Sequence, residues 1–139
     1  MRYTKKNKRR AERRRVAPAL RCVDMLTGRE LDAAVQREVM DSIIGWILMP
    51  NGEREPVFVP RRAGERDPVS SHQPKWVPRY STQSREAAAL DSSIQALGLI
   101  HSYERDVLGT NNRPEDKCRA ALIAVRAARA IERLQVLAS

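Results

Sequence analysis

The sequence predicts an α+β domain with a small, mostly antiparallel sheet and about three helices. Three observations carry this expectation. Apolar residues recur at three- and four-residue spacing in three separate stretches, which is the helical period. Two short runs rich in β-branched and aromatic residues flank Pro50-Asn51-Gly52, which suits a hairpin. The 139 residues, 42% of them hydrophobic, suffice for one core and not for two. Aromatics make up only 4%, so that core is built from Leu, Ile, Val and Ala.

The first helix is expected over residues 28–42. Thr27 and Glu30 have the spacing of a capping box, and Leu26 and Leu31 that of a hydrophobic staple. Leu31, Val35 and Val39, with Ala34 alongside, form its apolar stripe, while Arg29, Asp32, Gln36 and Arg37 form a face expected to be solvated. Gly45 is expected to end the helix, residues 46–49 to form a buried strand, and residues 57–59 a return strand after the Asn-Gly turn. Pro56 and Pro60 mark that second strand as short or at an edge. Residues 61–75 carry turn chemistry throughout and read as a long loop, after which Trp76-Val77 adds a further strand pair.

A second helix is expected to start at Ser81, a favourable N-cap. Its stripe is Ala87, Leu90, Ile94 and Leu97, and Gly98 stands where a left-handed cap closes a helix. Residues 99–103 and 106–108 read as strands. The last helix opens at Pro114, with Glu115 and Asp116 complementing its positive end. Cys118, Ala121, Leu122 and Val125 are its packed face, and Ile131, Leu134 and Leu137 continue an apolar stripe. Unbroken to residue 137 it would be about 36 Å long at ~1.5 Å per residue. Its C-terminal half then either overhangs, offering Ile131 and Leu134 as a homo-oligomer contact, or frays.

The net charge of +9 is unevenly distributed. Residues 1–15 hold nine cations, namely Arg2, Lys5, Lys6, Lys8, Arg9, Arg10, Arg13, Arg14 and Arg15, against the single acid Glu12. The rest of the chain is close to neutral. Such a leader cannot bury enough surface to order itself alone. It can neutralise phosphates with release of counterions, and it looks like the arginine-rich segments that fold on RNA. Basic tails also serve as solubility or nonspecific-contact elements. A second cationic set, Arg61, Arg62, Lys75 and Arg79, surrounds Trp76 and is a candidate ligand or partner surface, since charge and stacking together hold nucleotides. Against this, a core so poor in aromatics is expected to bury Trp46, Trp76 and Tyr80.

Catalytic patterns are absent from the sequence. There is no glycine-rich phosphate loop, nucleophile elbow or H-E-x-x-H, and nothing pairs Glu53, Glu55, Glu65 or Asp67 as acid and base. His72 and His101 lack further ligands at metal-binding spacing, and Cys22 and Cys118 are too few and too far apart for a disulfide framework. No cofactor or metal is expected, and no apolar run approaches the ~18–20 residues of a membrane span.

Three blocks are more distinctive. Gly28-Arg29-Glu30-Leu31-Asp32 is followed by Val39-Met40 and Gly45-Trp46. Val77-Pro78-Arg79-Tyr80-Ser81-Thr82 leads into an alanine-rich helix, and Cys118-Arg119-Ala120-Ala121-Leu122 opens the last one. In order and spacing, over about residues 25–126, they resemble the phage ABA sandwich domain family. The resemblance implies a three-layer α/β/α sandwich in a virus or prophage gene product, and no reaction. The chain departs from the pattern at Gln83, usually an acid, and at Asp41 to Ile44, which lengthen the link to Gly45-Trp46. The organisation expected is a basic flexible tail over 1–22 and a sandwich-like domain over 23–139.

The function these observations suggest is nonenzymatic binding in the cytoplasm of a bacterial host. The leading version is a phage counter-defence protein that inhibits a nucleic-acid-guided effector, in the manner of an anti-CRISPR, or sequesters a nucleotide signal. The alternative is an RNA- or DNA-binding regulator that grips with its leader. Nucleic acid, a host complex containing it, or a nucleotide is the expected partner, with no membrane involved.

Overall fold

The computed structural model describes residues 22–61 and 73–138. The leader cations Arg2 to Arg15, together with Arg62, Glu65, Asp67 and His72, lie outside the described residues. A 3-10 turn, Val23–Met25, precedes helix α1, Gly28–Glu38. The strands β1, Ser42–Leu48, and β2, Arg54–Pro60, follow, then the short β3, Lys75–Trp76. Helices α2, Ser84–Ala96, α3, Ile100–Leu108, and α4, Pro114–Ala138, complete the order.

The fold is α+β: four helices among the described residues and one three-stranded antiparallel sheet in the order β1-β2-β3, a small α/β sandwich. One face of α1 packs on β1 and β2 and another on α4, against which α2 and α3 also pack. The core gathers Leu31, Val35, Leu90, Ile94, Tyr103 and Leu122, with Val77 and Tyr80 from the segment after β3. The apolar stripes expected of the first, second and last helices all supply it, although Leu97 is exposed.

Several local expectations are corrected. α1 stops at Glu38, because Asp41 takes a left-handed φ of 50° and turns the chain into β1. Gly45 therefore lies inside a strand of seven residues, paired with Val57, and does not end a helix. β2 is also longer than expected and includes both prolines. Thr27 caps α1 with extended backbone but makes no side-chain capping bond. α2 begins at Ser84 behind Gln83, because Ser81 is engaged elsewhere. Residues 100–108 are helix, not strand: Ile100, Tyr103 and Val107 share one helical face toward the core.

Two turns follow the sequence closely. Gly52, at φ 86°, closes the hairpin by donating its N–H to the Met49 carbonyl at 2.9 Å. After α2, the Leu99 N–H reaches the Ile94 carbonyl and the Gly98 N–H that of Gln95, with Gly98 at φ 74°. This is the paired hydrogen bonding of a Schellman cap. α4 runs unbroken for 25 residues, about 37 Å at ~1.5 Å per residue, and Ile131, Leu134 and Leu137 on its last turns are exposed.

Candidate functional site

The polar side of α1, expected to be solvated, is largely buried. Asp32 is 1% exposed and Gln36 is buried with it. The Asp32 carboxylate accepts the Ser81 backbone N–H at 2.7 Å and pairs with Arg29 at 2.8 Å. Arg29 in turn donates to the carboxylate of Glu55 at 2.8 Å and to the Val77 carbonyl at 2.7 Å. Tyr80 donates its hydroxyl to Gln36 Oε1, and the Gln36 amide donates to Ser42 Oγ at 2.9 Å. Arg119 donates to the Leu26 carbonyl at 3.0 Å. The three sequence blocks thus meet around the first turns of α1, where most of their polar groups satisfy one another; the buried Nε of Arg119 has no hydrogen-bond partner among the described residues.

Burial dominates the ionisation of groups nearby. It pushes the Cys118 thiol up to about 12, with the negative charge of Asp32 adding to the effect. It raises the Tyr80 and Tyr103 hydroxyls as well, the latter reinforced by its hydrogen bond to Asp91. Arg126 is held even more firmly charged by its two hydrogen bonds to the Glu38 carboxylate, at 2.8 and 2.9 Å. These shifts keep the thiol and the two phenols protonated and the guanidinium charged at neutral pH.

The cationic set proposed around Trp76 is dispersed. Arg61 follows the end of β2 that pairs with Ser42 and lies 3.7 Å from Asp41. Arg79 pairs with Glu55 near the other end, 3.5 Å away, and Glu55 stands about 20 Å from Arg61 along the strand at ~3.3 Å per residue. Lys75 stands opposite Phe58 and Trp76 opposite Val57, so the pleat sends them to opposite faces. Trp76 is 55% exposed and Trp46 43%, whereas Tyr80 is buried; the expectation of a core role holds for the tyrosine alone.

A groove of about 570 Å³ lies where α1 crosses the far end of the hairpin, and it brings together residues the sequence reading kept apart. Arg29, Ala33 and Arg37 line it from α1, at four-residue intervals that put them on one face. Trp46 and Arg54 line it from the sheet. Trp46 pairs with Pro56, and Leu48 with Arg54, so Trp46 and Arg54 are diagonal neighbours on one face, at a spacing of about 7–8 Å. Ile44, on that same face, packs into the core, but Trp46 is two residues further along and only partly covered.

Charge in the groove is unequal. Arg29 and Arg126 are committed to Asp32, Glu55 and Glu38, and Glu30, also in the lining, has an interaction of its own. Arg37 and Arg54 are exposed, and among the described residues neither has an ion-pair or hydrogen-bond partner. Two uncommitted guanidinium groups beside an accessible indole face can hold an anion and stack a planar ring. Ala33, buried in the groove wall, leaves that space open.

Among the described residues no group of three or more His, Cys, Asp and Glu side chains could hold a metal ion, and no helix is long and apolar enough to cross a membrane. Compared with known proteins, the sequence matches no family model, no curated protein and no solved structure.

Proposed function

We propose that this chain is a nonenzymatic protein that binds nucleic acid. The observation that carries the reading is the groove between α1 and the hairpin, where Arg37 and Arg54 stand beside Trp46 without ion-pair or hydrogen-bond partners among the described residues. The leader supports it independently, because nine cations in fifteen residues supply sequence-independent attraction to a phosphate backbone. In this reading the leader gives reach and charge, and the folded body gives a fixed contact. The resemblance to the phage ABA sandwich family adds the setting: a viral gene product whose nucleic-acid contact serves counter-defence or regulation inside the bacterial host.

The test is binding of labelled single-stranded RNA, single-stranded DNA and duplex to the full chain across a salt series. Affinity should fall steeply with salt, and deletion of residues 2–15 should remove most of it and flatten the salt slope. Absence of binding to every one of these at low salt overturns the reading. So does turnover of a nucleic acid or nucleotide that an alanine substitution in the chain abolishes.

A further inference from the structure

We infer that the α1–hairpin groove takes one unpaired nucleotide of a single strand, its base stacked on Trp46 and its phosphate held by Arg37 and Arg54. This rests on the nucleic-acid reading and narrows it to a ligand and a place.

Three features select a nucleotide over a bare anion. The first is mixed chemistry. A phosphate-only site has no use for an accessible indole, and a purely apolar site none for two uncommitted guanidinium groups. In one nucleotide a planar base and a charged phosphate are carried together, and Trp46 and Arg54, as diagonal neighbours on one face of β1 and β2, present an indole and a guanidinium side by side. The second is size. At about 570 Å³ the groove falls within the range of small-ligand sites. The third is rigidity. Arg29 and Arg126 are fixed by carboxylates and backbone carbonyls, so they build the groove walls and leave Arg37 and Arg54 as its uncommitted charges among the described residues.

The geometry also selects single strands. Stacking on Trp46 needs a base face that a duplex keeps covered by its neighbours, so paired ends must open before the site is filled. Stacking tolerates any base, and the groove carries few uncommitted side chains that would read a Watson–Crick edge. The site should therefore discriminate strandedness far more than sequence.

The experiment uses the full chain carrying Trp76→Phe, so that Trp46 is the sole indole reporter. Adenosine monophosphate, adenosine and inorganic phosphate are titrated separately, followed by a short single-stranded oligonucleotide and its duplex. The monophosphate should quench Trp46 fluorescence at lower concentration than adenosine, and phosphate alone should leave the emission nearly unchanged. Trp46→Ala, in the natural Trp76 background, should weaken single-strand binding roughly 5- to 150-fold, the span of one lost base–aromatic stack. Trp46→Phe should recover much of that loss, and Arg37→Ala and Arg54→Ala should each weaken binding severalfold. Arg37 and Arg54 are exposed and Trp46→Phe keeps an aromatic ring, so unchanged thermal melting should accompany these three variants. Should oligonucleotide binding persist undiminished in Trp46→Ala and Arg37→Ala/Arg54→Ala, the inference is overturned while the nucleic-acid reading stands. If the parent protein binds no oligonucleotide at all, both are overturned.

Discussion

Asp32 accepts the backbone N–H of Ser81 at 2.7 Å across 49 residues of sequence, and it does so while paired with Arg29. One carboxylate therefore ties the first helix to the turn that leads from the sheet to α2. Removing the carboxylate leaves the Ser81 N–H without its acceptor in the interior, while Arg29 keeps Glu55 and the Val77 carbonyl. Asp32→Ala should cost about 1–3 kcal/mol of stability in chemical denaturation. A loss below about 1 kcal/mol would place the pair among ordinary surface contacts.

Next to that carboxylate, Tyr80 and Gln36 continue the network to Ser42. Tyr80→Phe keeps the ring and deletes the donor, leaving the Gln36 oxygen without its bond in the interior. The expected cost is about 1–2 kcal/mol, measured by the shift of the urea midpoint at unchanged slope. An unaltered midpoint would mean that water replaces the hydroxyl.

The two cysteines should behave oppositely. Cys22 is exposed and Cys118 buried, so a thiol reagent at neutral pH should label Cys22 quickly and Cys118 only once the protein is unfolded. The pH dependence follows from the same burial. The Cys118 thiol titrates at about 12 in the folded protein and near 9 when unfolded. Its stabilisation is therefore complete below the unfolded value and lost as pH rises toward the folded one. Tyr80 and Tyr103, also raised, act in the same direction. The melting temperature should hold steady to about pH 9 and then decline, less steeply in Cys118→Ala.

Along α4 the energetic cost of truncation should change sharply with position. Leu122 is fully buried, whereas Leu134 is 66% exposed. Leu122→Ala should cost about 2–5 kcal/mol, and Leu134→Ala less than about 0.5 kcal/mol in the monomer. If Ile131 and Leu134 form the oligomer contact proposed from their stripe, the second variant instead lowers stability in a manner that depends on protein concentration.

The helical part of the fold was legible because its signals are local. Stripes such as Leu31-Val35-Val39 and Cys118-Ala121-Leu122-Val125 need only neighbouring turns to be read, and Gly52 and Gly98 mark their turns by backbone freedom. The α3 segment was misread because its apolar Leu99-Ile100 pair masks the helical spacing of Ile100, Tyr103 and Val107. The polar face of α1 was misread for a different reason. Arg29 and Asp32 find their partners at Glu55, Val77 and Ser81, and such distant pairing has no local signature. The groove was hidden likewise: scarcity of aromatics argued for a buried Trp46, and only the hairpin register places it beside Arg54 and past the cover of α1. A usable clue was present in the period-four row Arg29-Ala33-Arg37, two cations spaced by a small residue.

Ultraviolet crosslinking of a uridine-containing single strand to the full chain, followed by peptide mapping, tests the central claim most directly. Adducts should fall within residues 38–54, on the peptide that carries Trp46. Adducts confined to the cationic leader, with that peptide unmodified, would contradict it.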